Sequence, residues 1–184
     1  MLKRGSFLFC TFVLTASLAS YAALPPGRPL PDVPMEGPGN TTVNPREYRS
    51  KVVVLAILSI TCDHCITAAE ILTRIQKEFG PRGVQVIGAI ADDNPKATVP
   101  PFVARYRINF PVGFVYPASI QKLASLPPGM RPYVPILLFV DGKGMVRQQI
   151  YGNDPFMVNA KMEGTIRDTL AQLLNPPPAP AKKK

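Results

Sequence analysis

The segment Lys51–Cys65, KVVVLAILSITCDHC, decides the fold. Its first ten residues, Lys51–Ile60, are a continuous apolar run rich in β-branched side chains, the pattern of a central strand covered on both faces. Beyond Cys65, apolar residues recur at Ile66, Ala69, Leu72, Ile75 and Phe79. That spacing of three and four predicts an amphipathic helix, and Gly80-Pro81 ends it. Val84–Ala91 (VQVIGAIA) reads as a second buried strand, so the three elements form a βαβ unit with parallel strands and a right-handed crossover. The two cysteines thus fall where the first strand hands over to the first helix.

Downstream, Pro100-Pro101 is expected to open a short helix carrying Phe102, Val103 and Tyr106, and Asn109–Val115 reads as a strand. Ile120–Leu126 reads as a helix closed by Pro127-Pro128-Gly129. Pro135–Val140 and Met145–Tyr151 are two strands joined by Asp141-Gly142-Lys143-Gly144, a hairpin signal. Asp154-Pro155 opens the last helix, whose apolar face is Ile166, Leu170, Leu173 and Leu174. The expected class is α/β, a central mixed sheet flanked by helices.

The chain has 184 residues, room for one domain with short flanks. Met1–Ala22 reads as a signal peptide: Lys3 and Arg4 precede the apolar run Phe7–Ala16, and small residues follow where cleavage would occur. An uncleaved anchor is the alternative, because Ser6–Leu24 approaches spanning length. Both versions export the chain, to the periplasm or to the outer face of the inner membrane, an oxidising compartment. Residues 23–44, rich in proline and glycine, are expected to form an extended linker. The domain then occupies 45–175, and 176–184 is a disordered Pro/Lys tail. Of the 22 prolines, ten sit in these two flanks.

The net charge of +9 does not cluster within the domain: five of the nine belong to Lys3, Arg4 and Lys182–Lys184. With no basic helix and no interleaved aromatics, nucleic-acid binding is not expected. The terminal lysines offer at most weak help at an anionic membrane surface.

Cleavage of the signal removes Cys10 and leaves Cys62 and Cys65 as the only cysteines. A zinc site would need further ligands, and the one histidine, His64, lies inside the motif, so no metal is expected. A purely structural disulfide across so short a loop gains little. A redox-active dithiol fits the position, because helix-start N–H groups and the helix dipole favour a thiolate at Cys62. Cys62 is therefore the expected nucleophile, and Cys65, one turn further and more buried, the resolving partner. His64 can donate to the Cys62 sulfur or sit near it, making the couple more oxidising, or it can be an exposed spacer.

The segment from about Val43 to Leu174 resembles the thioredoxin fold in its TlpA/ResA-like branch, the exported thiol–disulfide oxidoreductases related to the AhpC/TSA redoxins. The resemblance rests on YRSKVVVL at Tyr48–Leu55, the Cys-x-x-Cys motif, YRINFPV at Tyr106–Val112, and VPILLFVD at Val134–Asp141 followed by Gly144. A helix and strand between Asp92 and Val115 match the insertion that marks this branch. The resemblance implies a cis Pro135 facing the Cys62–Cys65 pair, with the Val134 backbone free to pair with an extended substrate. It implies exchange of a Cys62–Cys65 disulfide or dithiol with cysteine pairs of extracytoplasmic proteins, a redox partner that recycles it, and no cofactor. Two departures stand out. Thr61 occupies the position where relatives commonly carry tryptophan, and Ala56 and Ala68 stand where many carry a buried carboxylate, with Glu70 the nearest acid and expected to be solvated.

Two further readings of the residues stay open. Ser59-Ile60-Thr61-Cys62 has the hydroxyl spacing of a peroxiredoxin-like thiol peroxidase, although Leu55 stands where proline is expected. A thioredoxin-fold metal- or protein-binding module could use the two sulfurs as soft ligands, although no second histidine completes a copper site.

Overall fold

The computed structural model describes residues 27–157 and 159–176. The expected signal peptide, the first residues of the linker and nearly all of the tail lie outside the described residues. Strands β1 (Arg28–Pro29), β2 (Met35–Glu36), β3 (Thr42–Val43), β4 (Val52–Leu58), β5 (Val84–Ile90), β6 (Val112–Phe114), β7 (Ile136–Val140) and β8 (Met145–Ile150) join in one mixed sheet. Its order is β1-β8-β7-β4-β5-β6-β2-β3, with β4, β5 and β6 parallel and the other pairings antiparallel. Helices α1 (Asp63–Phe79), α2 (Pro95–Arg105), α3 (Pro117–Ala124) and α4 (Asn159–Leu174) flank it.

Every residue of β4 is buried, which is why its sequence shows no alternation. Val52, Val54, Ala56 and Leu58 pack into a layer with α1, α2 and α4, through Leu72, Ile75, Phe102, Ile166 and Leu170. Val53, Leu55 and Ile57 face the opposite layer, with Ile87, Ile120, Leu123 and Leu138. Two hydrophobic layers therefore share one strand, and β4 gains packing on both sides.

The linker expected over 23–44 needs correction from Gly27 onward. Residues 27–44 are not a free spacer: Leu30, Val33, Met35 and Val43 are buried in the second layer. β1 pairs with β8 at one side of the sheet, and the chain reaches the other side, where β2 pairs with β6 and β3 with β2. Arg28 ties the entry point down, its guanidinium donating to the Leu123 carbonyl at 2.7 Å and to Gln149 Oε1 at 2.6 Å. Met35 lies over Gly113 of β6, where an added Cβ would sit 2.5 Å from Met35 Cβ. The prolines between these anchors set extended backbone and spread four apolar residues too thinly for any periodicity to show.

Three helix starts also differ from the expectation, and the first difference is small: α3 begins at Pro117 rather than Ile120. α2 begins at Pro95, after Asn94, so that Pro100 and Pro101 lie inside it. Both lack an N–H, but a proline at the first helical position is the stronger start signal. Asp154-Pro155 opens only a short 3-10 turn, Pro155–Met157, ahead of α4. The hairpin between β7 and β8 is closed by Asp141, whose Oδ1 accepts from the backbone N–H groups of Lys143 and Met145 at 2.9 and 3.0 Å.

Met35 is 2% exposed, so Met35→Ala is expected to destabilise the protein by about 2–5 kcal/mol in urea unfolding. A loss under about 0.5 kcal/mol would mean that residues 27–44 contribute nothing to the fold.

Candidate functional site

At its C-terminal end β4 passes through Ser59–Thr61 into α1, and Cys62 takes the N-cap position with extended backbone, φ −102° and ψ 116°. Its N–H donates to the Ser59 carbonyl at 3.4 Å and its carbonyl accepts from Ile66 N–H at 3.0 Å, so the turn is held from both sides. No side chain caps the helix here. The unpaired N–H groups of the first turn and the positive end of the helix dipole therefore lie beside the Cys62 sulfur.

Cys62 is half-buried and Cys65 is fully buried, and the two sulfurs are not bonded to each other in this structure. Cys65 lies in the apolar layer that also contains Ala56, Leu58, Ala68 and Ala69. Burial pushes its thiol well above the ordinary cysteine range, the Ser59 backbone opposes this in part, and the neighbouring Cys62 adds to it. Ala56 and Ala68 are both 0% exposed. Thr169 is the only buried polar or charged side chain among the described residues, so no carboxylate lies beneath the dithiol. Glu70 is exposed on the outer face of α1.

His64 is exposed and makes no hydrogen bond or ion pair among the described residues. Direct donation to the Cys62 sulfur is therefore not present in this structure. Ser59 Oγ and Thr61 Oγ1 lie 3.1 Å apart, and the Thr61 N–H points to Ser59 Oγ at 3.4 Å, so the two hydroxyls that suggested a peroxide site satisfy each other. Among the described residues no cluster of three or more His, Cys, Asp or Glu side chains could hold a metal ion.

The Val134–Pro135 peptide is cis and leads directly into β7, the antiparallel neighbour of β4. The topology thereby brings residues 72 apart in sequence together: Cys62 Sγ lies 3.9 Å from the Val134 carbonyl oxygen, with the thiol as donor. Gly152, which follows β8, completes this wall. Its N–H donates to the Tyr133 carbonyl at 2.8 Å, and a Cβ at position 152 would fall 2.3 Å from the Val134 oxygen and 2.6 Å from its carbonyl carbon. Sequence reading missed Gly152, because a glycine just after a strand reads as ordinary turn punctuation and its reason is a tertiary contact.

Four large apolar side chains among the described residues are exposed: Tyr116, Met130, Tyr133 and Phe156. Tyr116 follows β6, Met130 and Tyr133 lie in the loop before Pro135, and Phe156 lies in the turn after β8. All belong to loops joined to the strand ends nearest Cys62.

Comparison with known proteins places this geometry. The family model described as Redoxin matches residues 25–159. No curated protein matches the sequence. Among solved structures, a protein from Chlorobium tepidum titled a putative thiol:disulfide interchange protein DsbE superposes with a TM-score of 0.68 at 20% identity, covering 83% of this chain and 99% of that one. A second thioredoxin-family thiol:disulfide interchange protein from Chlorobium tepidum gives 0.66 at 17% identity, over 81% and 97% of the two chains. A secreted thiol-disulfide isomerase from Corynebacterium glutamicum gives 0.65 at 18% identity, over 79% and 84%. At these identities the likeness establishes the thioredoxin fold.

Gly152→Ala is expected to displace the Val134 carbonyl and to slow exchange of the dithiol with an extended peptide disulfide by about tenfold or more. Exchange with a small-molecule disulfide should change much less, and equal slowing of both would assign Gly152 to the cysteine turn instead. Burial of Cys65 also sets a pH dependence. Its folded value lies above that of the unfolded chain, so the stability it carries is complete below about pH 8.5 and declines as pH rises towards the folded value. Reduced protein should therefore lose stability between about pH 8 and 10 with a steeper slope than reduced Cys65→Ala, and coincident urea-unfolding slopes would refute this.

Proposed function

The chain belongs to the Redoxin family as a thioredoxin-fold oxidoreductase, and from that premise we propose that it exchanges the Cys62–Cys65 dithiol with disulfides of extracytoplasmic proteins. The observation that carries the reading is the pairing of a half-exposed cysteine at a helix start, beside the Val134 carbonyl, with a fully buried one a turn later.

In the reductive direction the Cys62 thiolate attacks one sulfur of a substrate disulfide, forming an enzyme–substrate S–S bond and releasing the other sulfur as a thiolate. Cys65 then loses its proton and attacks the Cys62 sulfur. The mixed disulfide breaks, the remaining substrate sulfur leaves and takes up a proton, and two electrons have passed from the dithiol to the substrate. The oxidative direction is the same sequence reversed. A redox partner that resets the pair is part of the cycle, and the exchange itself draws on no cofactor beyond the two sulfurs.

The first-turn N–H groups of α1 favour negative charge on Cys62 both when it attacks and when it departs. The second step is different. Cys65 ionises inside an apolar layer with no internal base, so resolution is expected to be the slow half of the cycle. The exposed residues Tyr116, Met130, Tyr133 and Phe156 give the site an apolar surround suited to unfolded or extended polypeptide, whose side chains are unpacked. The extracytoplasmic setting is supported by the signal-like residues 1–22 and by the secreted character of one structural neighbour.

Cys62→Ser is expected to abolish insulin disulfide reduction. Cys65→Ser should retain the first attack and accumulate a mixed disulfide with a protein substrate, visible on non-reducing gels and released by dithiothreitol. Robust hydrogen peroxide consumption by the wild type without disulfide reduction would replace this reading with the peroxidase one.

A further inference from the structure

We propose that the end of the sheet opposite Cys62 is a docking surface for an anionic phospholipid bilayer. Three turns meet there: the approach to β4, the turn before β5, and the β7–β8 hairpin. Ser50 N–H donates to the Gly142 carbonyl at 3.1 Å, and Val52 N–H to the Gly83 carbonyl at 3.0 Å. These bonds gather Arg49, Lys51, Arg82 and Lys143 on one end of the molecule, a clustering within the domain that the sequence did not lead one to expect, and Lys77 joins them from the last turn of α1. All five are exposed, and none forms an ion pair among the described residues.

The acids nearby are mostly committed. Asp141 pairs with Arg147 at 2.7 Å, Glu78 with Arg167 at 2.8 Å, and Asp32 with Arg46 at 2.9 Å. Glu47 and Asp168 are left without an ion pair at this end. The dithiol end has the opposite balance: its loops and helix starts carry Asp63, Asp92, Asp93 and Asp154, none in an ion pair among the described residues, against Arg131 and Lys161. Charge is therefore polarised along the strand direction, positive away from Cys62.

The charge itself favours a bilayer. Clustered basic residues facing an anionic plane add their attractions, and these vanish with salt. A nucleic acid is the poorer fit, because the exposed large aromatic side chains, Tyr116, Tyr133 and Phe156, belong to the dithiol end and leave no stacking platform among these basic groups. The geometry holds whichever disulfides the enzyme acts on.

The test uses the full chain and sedimentation with two sets of large vesicles, one of phosphatidylcholine alone and one containing about 30% phosphatidylglycerol. The quantity read is the phosphatidylglycerol-dependent difference, so that apolar insertion of residues 7–16 cancels. Partitioning is expected to be about tenfold or more stronger on the anionic vesicles at low salt, and to fall to the neutral value at about 0.5 M salt. The triple variant R49E/K51E/K143E should lose the difference while insulin reduction stays at the wild-type rate. Alkylation of Cys62 should proceed equally fast on and off the vesicles, since the dithiol faces away. Equal partitioning on both vesicle types, undiminished binding by the triple variant, protection of Cys62, or displacement by an equal charge of single-stranded oligonucleotide would each overturn the proposal.

Discussion

The burial of β4 on both faces is the constraint on which everything else rests. A strand with seven consecutive buried residues has no solvent face, so two separate layers of side chains must be found for it. One layer comes from α1, α2 and α4, the other from α3 and the N-terminal segment. The same strand fixes the chemistry. Its end aims the cysteine turn, its parallel neighbour β5 positions the crossover helix, and its antiparallel neighbour β7 delivers Val134 to within contact of Cys62. Site and core are one construction, because moving β4 would move both walls of the site.

The two sulfurs, three residues apart, occupy very different surroundings. Cys62 sits at a helix boundary, where unpaired N–H groups and solvent can support charge. Cys65 sits in hydrocarbon, where charge is costly. Alanines at 56 and 68 leave this contrast unrelieved, since a carboxylate at either position would have given Cys65 a proton acceptor. The proposed division of labour between the cysteines rests on one helical turn of depth, with His64 left at the surface beside them.

Local signals were legible in the sequence wherever one element carried its own reason. The β4–turn–α1 unit, β5, the β7–β8 hairpin with Asp141 and the apolar stripe of α4 all declare themselves by period or by turn chemistry. Long-range reasons were not legible. Residues 27–44 read as a spacer because Leu30, Val33, Met35 and Val43 are buried one at a time between prolines, against partners far along the chain. The start of α2 was displaced because Pro100-Pro101 is the louder signal and Asn94-Pro95 the correct one. Gly152 was passed over because its reason is a carbonyl oxygen eighteen residues upstream. The cysteine pair could be placed from sequence, whereas the wall facing it, Val134 and Pro135, came into view only through the family resemblance.

The N-terminal segment has a consequence beyond stability. It pairs with β8 on one side of the sheet and with β6 on the other, so the outermost strands, β1 and β3, are two residues long. On the proposed function, each encounter with an extended substrate brings polypeptide chains able to join a strand. Long open edges would recruit those chains into intermolecular sheet and lead to aggregation. β1 covers Met145 and Val146 of β8, and β2 meets β6 at Phe114, so the segment shortens the open edge on each side. A segment that looks like a tether thus acts as a hem, trimming the backbone edge the sheet leaves open.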